Sequence, residues 1–327
     1  MLRSYQYTEK PYLEYTLQNE LFRDKQTEAA RKFVHTHPVY QKAGKICPVC
    51  AKAAGKYFYT KWNVDYLRCP ACKSVYALYD DVVVEEYRKN PEIRDLRTSC
   101  TYQEEITKGR QDTWREFLEW IEVRAFRFMG RNREMSVIDY GNRYQGYVDS
   151  IRKSSICGCY DLRESILQED TFSIGGGEAD LVLYLDQMQQ ELRPEERIQE
   201  LKNCLKPDGL LILNTRAGSG FDIITLKEKN ERIYPYEHIL LPSVKGLVVF
   251  LEAHGFDVLE ITTPGVMDVK YVLECRENLD DQEGFVKNLL DDSGALILQE
   301  FQRFLQKSCM SSFVCVIARK KDANENI

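Results

Sequence analysis

The stretch Val137-Ile138-Asp139-Tyr140-Gly141 joins a β-branched apolar run to an acid and a glycine. Downstream of it, strand-like apolar runs alternate with amphipathic helical patterns. These patterns predict strands over 136–140, 155–160, 180–185, 210–215, 256–262 and 312–318, and helices over 147–153, 194–205, 243–254 and within 279–307. Such alternation is typical of an α/β fold in which helices cover both faces of a parallel sheet.

Two cysteine pairs, Cys47-Pro48-Val49-Cys50 and Cys69-Pro70-Ala71-Cys72, lie ahead of this region and are separated by 18 residues. Their spacing predicts a zinc ribbon in which Cys47, Cys50, Cys69 and Cys72 bind one tetrahedral ion. Four thiolates leave no open coordination position, so the metal would be structural. A redox-active cysteine pair or two surface disulfides are the alternatives.

Length and charge narrow the class of protein. The chain has 327 residues, a net charge of −6 and an isoelectric point near 5.5. This length predicts two unequal domains, and the acidic balance argues against a nucleic-acid-binding surface, which needs clustered basic residues. The cysteines outside the two pairs have no paired spacing, which indicates a reducing compartment, and no apolar run approaches the ~18 residues of a membrane helix. We therefore expect a soluble cytoplasmic protein with neither nucleic-acid nor membrane partners.

The patterns divide the chain into five segments. We expect a helical leader at 1–44, a zinc ribbon at 45–80, a helical cover at 81–134, the sheet-containing domain at 135–320 and a polar tail at 321–327. The leader carries two amphipathic patterns, at 12–22 and 27–34. One helical face of the cover carries the apolar residues Trp114, Phe117, Leu118, Ile121 and Ala125. Asp112 is placed to cap that helix at its start.

A ligand site is expected where the parallel strands end. Gly141 would allow close backbone approach after the first strand, and Asp139 would pair with an ammonium or hydroxyl group of the ligand. The second strand is expected to end at Asp161, where an acid can accept both hydroxyls of a ribose. A helix N-cap is the other role open to Asp161.

Further motifs carry a family resemblance. They are Cys159-Tyr160-Asp161, Ala179-Asp180-Leu181-Val182-Leu183-Tyr184-Leu185-Asp186, Lys206-Pro207-Asp208-Gly209, Ser219-Gly220-Phe221-Asp222, Tyr234-Pro235-Tyr236-Glu237-His238 and Thr263-Pro264-Gly265-Val266-Met267-Asp268-Val269. In this order they resemble the class I S-adenosylmethionine-dependent methyltransferases. More narrowly, the chain is similar to bacterial methyltransferases that carry an N-terminal zinc ribbon and are associated with glycan or secondary-metabolite biosynthesis.

The resemblance implies a Rossmann-like, seven-stranded class I methyltransferase sheet with a reversed final hairpin, preceded by a small zinc-ribbon module. It also implies S-adenosylmethionine as cofactor, structural Zn²⁺, and transfer of a methyl group to a small-molecule or glycan-like acceptor. The cofactor-binding residues would be Asp139, Gly141, Gly146, Asp161, Asp170 and Asp186. A homodimer is compatible with the methyltransferase resemblance.

The catalytic candidates lie in the loop after the fifth strand of the fold. His238 is the candidate base, because an imidazole can take a hydroxyl proton near neutral pH, and Glu237 and Tyr236 stand beside it. The alternative is that His238 only anchors the loop by hydrogen bonds.

Two other functions stay open. Arg143 and Gln145 stand where glycines would keep the first turn open, and only 18 residues separate Asp161 from Asp180. Both features favour a methyltransferase-like binding or scaffold protein that no longer holds cofactor. A nicotinamide-dependent oxidoreductase shares the first strand and the acid after the second, but the chain lacks the later glycines of its fingerprint.

Overall fold

The computed structural model describes residues 4–5, 20–37, 46–98, 100–130, 134–140, 151–154, 157–163, 177, 179–279 and 284–321. The strands are β1 (Ser4–Tyr5), β2 (Lys56–Lys61), β3 (Val64–Arg68), β4 (Val75–Ala77), β5 (Met135–Tyr140), β6 (Cys157–Arg163), β7 (Ala179–Leu185), β8 (Leu205–Arg216), β9 (Leu240–Leu241), β10 (Phe256–Thr262) and β11 (Phe313–Lys320). The helices are α1 (Glu20–Thr36), α2 (Asp81–Lys89), α3 (Pro91–Thr98), α4 (Cys100–Met129), α5 (Pro194–Cys204), α6 (Phe221–Leu226), α7 (Val244–Ala253), α8 (Asp268–Glu274), α9 (Gly284–Asp292) and α10 (Ala295–Lys307).

The larger sheet has the strand order β1-β10-β11-β8-β7-β5-β6. Strand β11 runs antiparallel to both of its neighbours, and the other pairings are parallel. The predicted α/β fold, with seven strands and a reversed final hairpin, is therefore confirmed. One strand differs from the expectation, because the N-terminal β1 extends the sheet beside β10. The segment expected to hold a third strand, 162–179, lies mostly outside the described residues.

The second strand is longer than predicted. Strand β6 continues two residues past Asp161, because β5 supplies partners for them: Asp139 pairs with Leu162 and Tyr140 with Arg163. The prediction that the strand ends at Asp161 is therefore wrong. A helix N-cap at Asp161 is also excluded, since the next two residues are extended and hydrogen-bonded in the sheet.

The helices match the sequence patterns better inside the sheet domain than before it. Helix α7 begins after Ser243, whose Oγ accepts a hydrogen bond from the Gly246 amide at 2.8 Å, as expected of an N-cap. Ahead of the sheet, the second pattern of the leader, 27–34, lies within α1, whereas the first, 12–22, lies mostly outside the described residues. The predicted cap at Asp112 is wrong, because α4 begins at Cys100 and runs through it. Residues 100–111 include two glutamines, two glutamates, a lysine and an arginine, all of which favour helix.

A second, four-stranded sheet has the order β2-β3-β4-β9. Strands β2 to β4 come from the segment predicted as a zinc ribbon, whereas β9 comes from residue 240 onward, inside the sheet domain. Val75 pairs with Leu241 and Tyr76 with Leu240. The small sheet is thus completed by a strand from the other part of the chain.

The two faces of the larger sheet pack against different layers. Side chains of a strand alternate between faces, so Met135 and Val137 join the core beneath α4, while Ile138 and Tyr140 join the core shared with the small sheet. The predicted apolar face of α4 is buried at Phe117, Leu118, Ile121 and Ala125. By the same alternation, the fully buried Asp139 lies on the α4 side of β5.

Candidate functional site

The carboxyl ends of β5 and β7 form the edge where a ligand site was expected. Asp139 is the penultimate residue of β5 and is fully buried. Asp186 follows β7 directly, is exposed, and has a φ of 56°, a left-handed conformation that aspartate tolerates. Its amide donates to the Asn214 side-chain oxygen at 2.7 Å and to the Asn214 carbonyl at 3.2 Å. The neighbouring strand β8 therefore fixes the turn that presents the Asp186 carboxylate.

Gln189 connects this edge to the loop that carries His238. Its side-chain amide donates to the Asp186 carboxylate at 2.5 Å and to the Asp186 carbonyl at 3.1 Å. Its side-chain oxygen accepts a hydrogen bond from the Thr215 hydroxyl at 2.7 Å, and its carbonyl accepts one from the Ile239 amide at 2.8 Å. A buried glutamine that satisfies all these groups holds the end of β7, the end of β8 and the loop in one arrangement.

Residues 234–238 form a tight turn. The Glu237 amide donates to the Tyr234 carbonyl at 3.1 Å, Pro235 is the second residue, and Tyr236 has a φ of 68°. Proline followed by a residue with positive φ is the signature of a type II turn. Glycine or asparagine usually takes the third position, so a tyrosine there indicates a strained backbone that the surroundings must hold.

The ring of His238 closes this turn. Its Nδ1 accepts a hydrogen bond from the Tyr234 amide at 3.1 Å, and its own amide donates to the Tyr234 carbonyl at 2.9 Å. Because a backbone amide can only donate, Nδ1 must be unprotonated, and the neutral ring carries its proton on Nε2. In this arrangement Nε2 of His238 is a hydrogen-bond donor, and taking a proton there would require the ring to give up its bond to Tyr234.

Side chains of α1 and α2 donate hydrogen bonds to the Glu237 carboxylate. The Tyr87 hydroxyl donates to its Oε1 at 2.5 Å, and the Gln26 side-chain amide lies 3.2 and 3.3 Å from its two oxygens. Glu237 is buried, and it shares this environment with the ring of Tyr236. Its carboxylate thus faces α1 and α2.

Tyr236 is almost completely buried. Its ring meets those of Phe33 and Tyr87 edge to face, with centroids 6.2 and 5.7 Å away. Burial raises the pKa of Tyr236 to about 12, so its phenol is neutral near pH 7. Its hydroxyl oxygen makes no hydrogen bond within the part of the chain that the structure describes.

The remaining predicted cofactor residues are only partly described. Gly141, Gly146 and Asp170 lie outside the described residues. The backbone of Asp161 is paired with Ile138 in β6, next to the strand that carries Asp139, but its side chain is outside the described part. Of the six residues, the structure brings Asp139, Asp161 and Asp186 to adjacent strands at one edge of the sheet.

The four predicted metal ligands converge. All four Sγ atoms lie within 4.8 Å of one another, with Cys47 to Cys72 at 3.7 Å and Cys50 to Cys69 at 3.6 Å. Tetrahedral zinc with Zn–S bonds of about 2.3 Å requires S···S distances of about 3.8 Å, so the donor set fits such an ion. A hydrogen bond from Cys47, aided by Ser74, holds the pKa of the Cys72 thiol well below its usual range.

The two cysteine pairs share one backbone geometry. The residues after them, Ala51 and Lys73, have φ values of 51° and 69°. Their amides donate to the carbonyls of Cys47 and Cys69, at 3.0 and 2.9 Å. Each pair is therefore a closed knuckle that turns its two sulfur atoms toward the same point.

Comparisons with known proteins give no sequence relative. Neither protein-family models nor curated protein sequences match the chain. Solved structures do match. Phosphoethanolamine N-methyltransferase 2 of Haemonchus contortus with S-adenosyl-L-methionine is 15% identical over 76% of this chain and 62% of that one, with a TM-score of 0.47. Coclaurine N-methyltransferase with S-adenosylhomocysteine is 12% identical over 94% and 89%, with a TM-score of 0.37.

The [4+2]-cyclase SpnF is also similar, 13% identical over 65% of this chain and 82% of that one, with a TM-score of 0.36. Likeness of this degree does not bear on which reaction a chain performs. Within the described residues, no helix is both long and apolar enough to span a membrane.

Sequence reasoning missed two residues of the site. Gln26 and Tyr87 lie 211 and 150 positions before Glu237. No local pattern predicts a hydrogen bond over such a separation. The amphipathic pattern of α2 could have indicated that Tyr87 is buried, and a buried tyrosine hydroxyl usually needs a hydrogen-bond partner. The pattern could not have indicated which partner.

Proposed function

We propose that this chain is an S-adenosylmethionine-dependent methyltransferase that acts on a small-molecule or glycan-like acceptor. The hydrogen bond from Ile239 to Gln189 carries the proposal. It joins the His238 loop to the end of β7, where Asp186 follows, beside the strand that holds Asp139. A parallel sheet binds its ligand at this edge, and here the edge combines acidic hydrogen-bond acceptors with a histidine.

The acidic side chains at this edge of the sheet suit a ligand that carries ammonium and hydroxyl groups, as S-adenosylmethionine does. Asp139 and Asp186 offer carboxylates for its ammonium and hydroxyl groups, and Asp161 would complete the set from the adjacent strand. When bound, S-adenosylmethionine supplies an electrophilic methyl group. The chain has to hold the acceptor in line with it, and positioning of this kind can supply ~7–11 kcal/mol of the barrier.

His238 would orient the acceptor. With Nδ1 bonded to Tyr234, the ring presents Nε2–H, which can donate to an acceptor oxygen or nitrogen. The role of base, predicted from the sequence, would need the other ring form and the loss of that bond. Tyr236 would add its buried hydroxyl, which is neutral near pH 7.

Zn²⁺ in the four-cysteine cluster would be structural. Cys47, Cys69 and Cys72 are buried and Cys50 is partly buried, and four sulfur ligands leave no position for an acceptor. The metal would therefore stabilise the small sheet and take no part in methyl transfer.

Calorimetry with S-adenosylmethionine, S-adenosylhomocysteine and NAD tests the proposal. Binding of the first two with a dissociation constant in the micromolar range, and no binding of NAD, is the expected result. Failure of the parent protein to bind either sulfur compound would favour the scaffold function. Binding of NAD alone would favour the oxidoreductase.

A further inference from the structure

Glu237 is a buried acid whose partners come from distant helices. Gln26 lies in α1 and Tyr87 in α2, and both donate to the carboxylate. A buried carboxylate needs such donors, because removing a charge from water without replacing its hydrogen bonds is costly. Glu237 therefore links α1 and α2 by hydrogen bonds to the turn 234–238, which contains His238.

Other contacts surround this point. Phe33 of α1, Tyr87 of α2 and Tyr236 of the turn form an edge-to-face trio, with centroid distances from 5.3 to 6.2 Å. The Thr27 hydroxyl lies 3.3 Å from the Tyr234 hydroxyl. Together α1 and α2 cover the outer side of the turn.

The turn needs such support because its backbone is strained. Tyr236 has a positive φ, which an L side chain adopts only when its surroundings impose it. Glu237 lies between Tyr236 and His238, so whatever fixes its side chain also fixes the two peptides that close the turn. The His238 ring depends on the same closure, because its Nδ1 bonds to the first residue of the turn.

We infer that Tyr87 and Gln26 are positioning residues, which act through Glu237 to keep His238 in the form that carries its proton on Nε2. The importance of that ring form rests on the proposed function. The contacts themselves do not, so the inference can be tested in the protein without cofactor or acceptor.

The experiment is nuclear magnetic resonance on the full chain with ¹⁵N-labelled histidine. The chain has four histidines, and a His238→Gln variant assigns the signals of His238. Long-range ¹H–¹⁵N correlations distinguish a ring protonated at Nε2 from one protonated at Nδ1. The parent protein should show the Nε2–H form.

Two variants remove one donor each. Tyr87→Phe keeps the aromatic contacts and loses only the hydroxyl, and Gln26→Leu loses the amide at similar size. Each should shift the ratio of the two ring forms, or of ordered to open turn, by roughly tenfold or more, as expected for loss of a hydrogen bond to a charged group. Glu237→Ala should do the same, whereas Glu237→Gln should shift the ratio less than Glu237→Ala, because its side-chain oxygen can still accept from Tyr87.

Tyr57→Phe is the matched control. It also removes a tyrosine hydroxyl that contacts another side chain, Thr60, but on the exposed surface of the small sheet. Its His238 signals should equal those of the parent protein. Thermal unfolding and the His254 signals check that each variant is folded.

Parent-like His238 signals in folded Tyr87→Phe and Gln26→Leu would overturn the inference and leave both residues as packing. An Nδ1–H form in the parent protein would overturn it as well. An Nδ1–H form would also change the proposed role of His238 from orienting group to base. Neither result touches the proposed use of S-adenosylmethionine, which the binding of S-adenosylhomocysteine decides separately.

Discussion

The Tyr66 hydroxyl donates a hydrogen bond to the His238 carbonyl oxygen at 3.0 Å. Tyr66 is fully buried in β3, in the middle of the small sheet. The next residue, Ile239, accepts a hydrogen bond from the Ala77 amide at 2.9 Å, and then β9 pairs with β4. The small sheet, which follows the first cysteine pair and contains the second between β3 and β4, therefore holds residues 238–241 of the candidate site directly.

The cysteine cluster and this loop are also joined through serines. Cys72 Sγ lies 3.1 Å from Ser74 Oγ, and Ser74 Oγ accepts a hydrogen bond from the Ser243 amide at 3.0 Å. The Ser243 hydroxyl donates to the Cys72 carbonyl and accepts from the first turn of α7. A change in the position of Cys72 is thus passed to Ser243, at the end of the segment 238–243.

Removal of the metal should loosen residues 234–243 along with the two knuckles, while the larger sheet keeps its structure. Structural zinc can contribute ~10–16 kcal/mol to a small module, far more than the few strands around it can supply. Hydrogen exchange before and after chelation measures this, with the amides of β5 and β7 as internal reference. Cys69→Ser should mimic chelation, whereas Cys204→Ser, at a buried cysteine outside the cluster, should not.

Two results would contradict this prediction. Protein purified without chelator could hold less than half an equivalent of zinc, which would reject the metal itself. Alternatively, chelation could open the knuckles and leave exchange at 234–243 unchanged, which would show that the small sheet does not support the loop.

Asp161→Ala should weaken the binding of S-adenosylhomocysteine without unfolding the chain. Loss of a charged hydrogen-bond acceptor is expected to cost ~1.5–3 kcal/mol, or roughly ten- to a hundredfold in affinity. Asp180→Asn is the matched control, since it changes an acid at the opposite, amino-terminal end of the strands. Equal dissociation constants for the parent and Asp161→Ala would remove Asp161 from the cofactor site.

Substitution of His238 should separate an orienting role from that of a base. His238→Gln keeps a side-chain donor near the Nε2 position and should retain turnover within about tenfold. His238→Ala removes the donor and should lose ~10²–10³-fold in turnover, the range for loss of one preorganised hydrogen-bond donor, and both variants should bind S-adenosylhomocysteine like the parent. If His238 is instead a base, His238→Gln should be as poor as His238→Ala, and the parent rate should fall at acid pH.

The sequence predicted the sheet domain well for a physical reason. Strands β7 and β11 are mostly apolar runs, and α5 buries one apolar face, so pattern and fold agree over short distances. β10 and α7 were found within a residue of their predicted ends. The packing of α1 and α2 on the His238 turn was not predictable in the same way. Gln26 and Tyr87 are distant from Glu237 in sequence and contact it only in the folded chain.

The motif Lys206-Pro207-Asp208-Gly209, which contributes to the family resemblance, does not lie at the candidate site. Lys206, from Lys-Pro-Asp-Gly, donates to Asp180 at 2.8 Å, and Ser136 donates to the same oxygen at 2.9 Å. These groups join β5, β7 and β8 at their amino-terminal ends, opposite the candidate site. Burial alone would raise the pKa of Asp180, but these hydrogen bonds outweigh it and lower that pKa below its usual value.

Two other motifs of the resemblance meet in the core. Asp222 and Asp268 are both fully buried, and both lie near Ser312 at the start of β11. Asp268 is well satisfied, with hydrogen bonds from the Ser312 amide at 2.6 Å, the Ser311 hydroxyl at 2.6 Å and the Gln302 amide at 2.8 Å. Asp222 accepts one from the Asn230 side chain at 3.0 Å. Asp268 therefore accepts more hydrogen bonds than Asp222.

Asp222→Asn should therefore stabilise the protein at pH 7.5. Burial, with a further contribution from the charge of Asp268, raises the pKa of Asp222 to about 6 from an ordinary value of 3.8. A raised pKa means that the folded state holds the proton more tightly, so stability falls as pH rises from about 4 through about 6. The amide removes that cost, worth up to about 3 kcal/mol, at pH 7.5 and should have little effect at pH 4. Thermal unfolding at the two pH values measures the difference, and Asp268→Asn, which cannot accept all three bonds, should destabilise at pH 7.5. An Asp222→Asn variant less stable than the parent at pH 7.5 would mean that the ionised carboxylate is compensated by its surroundings and carries no such cost.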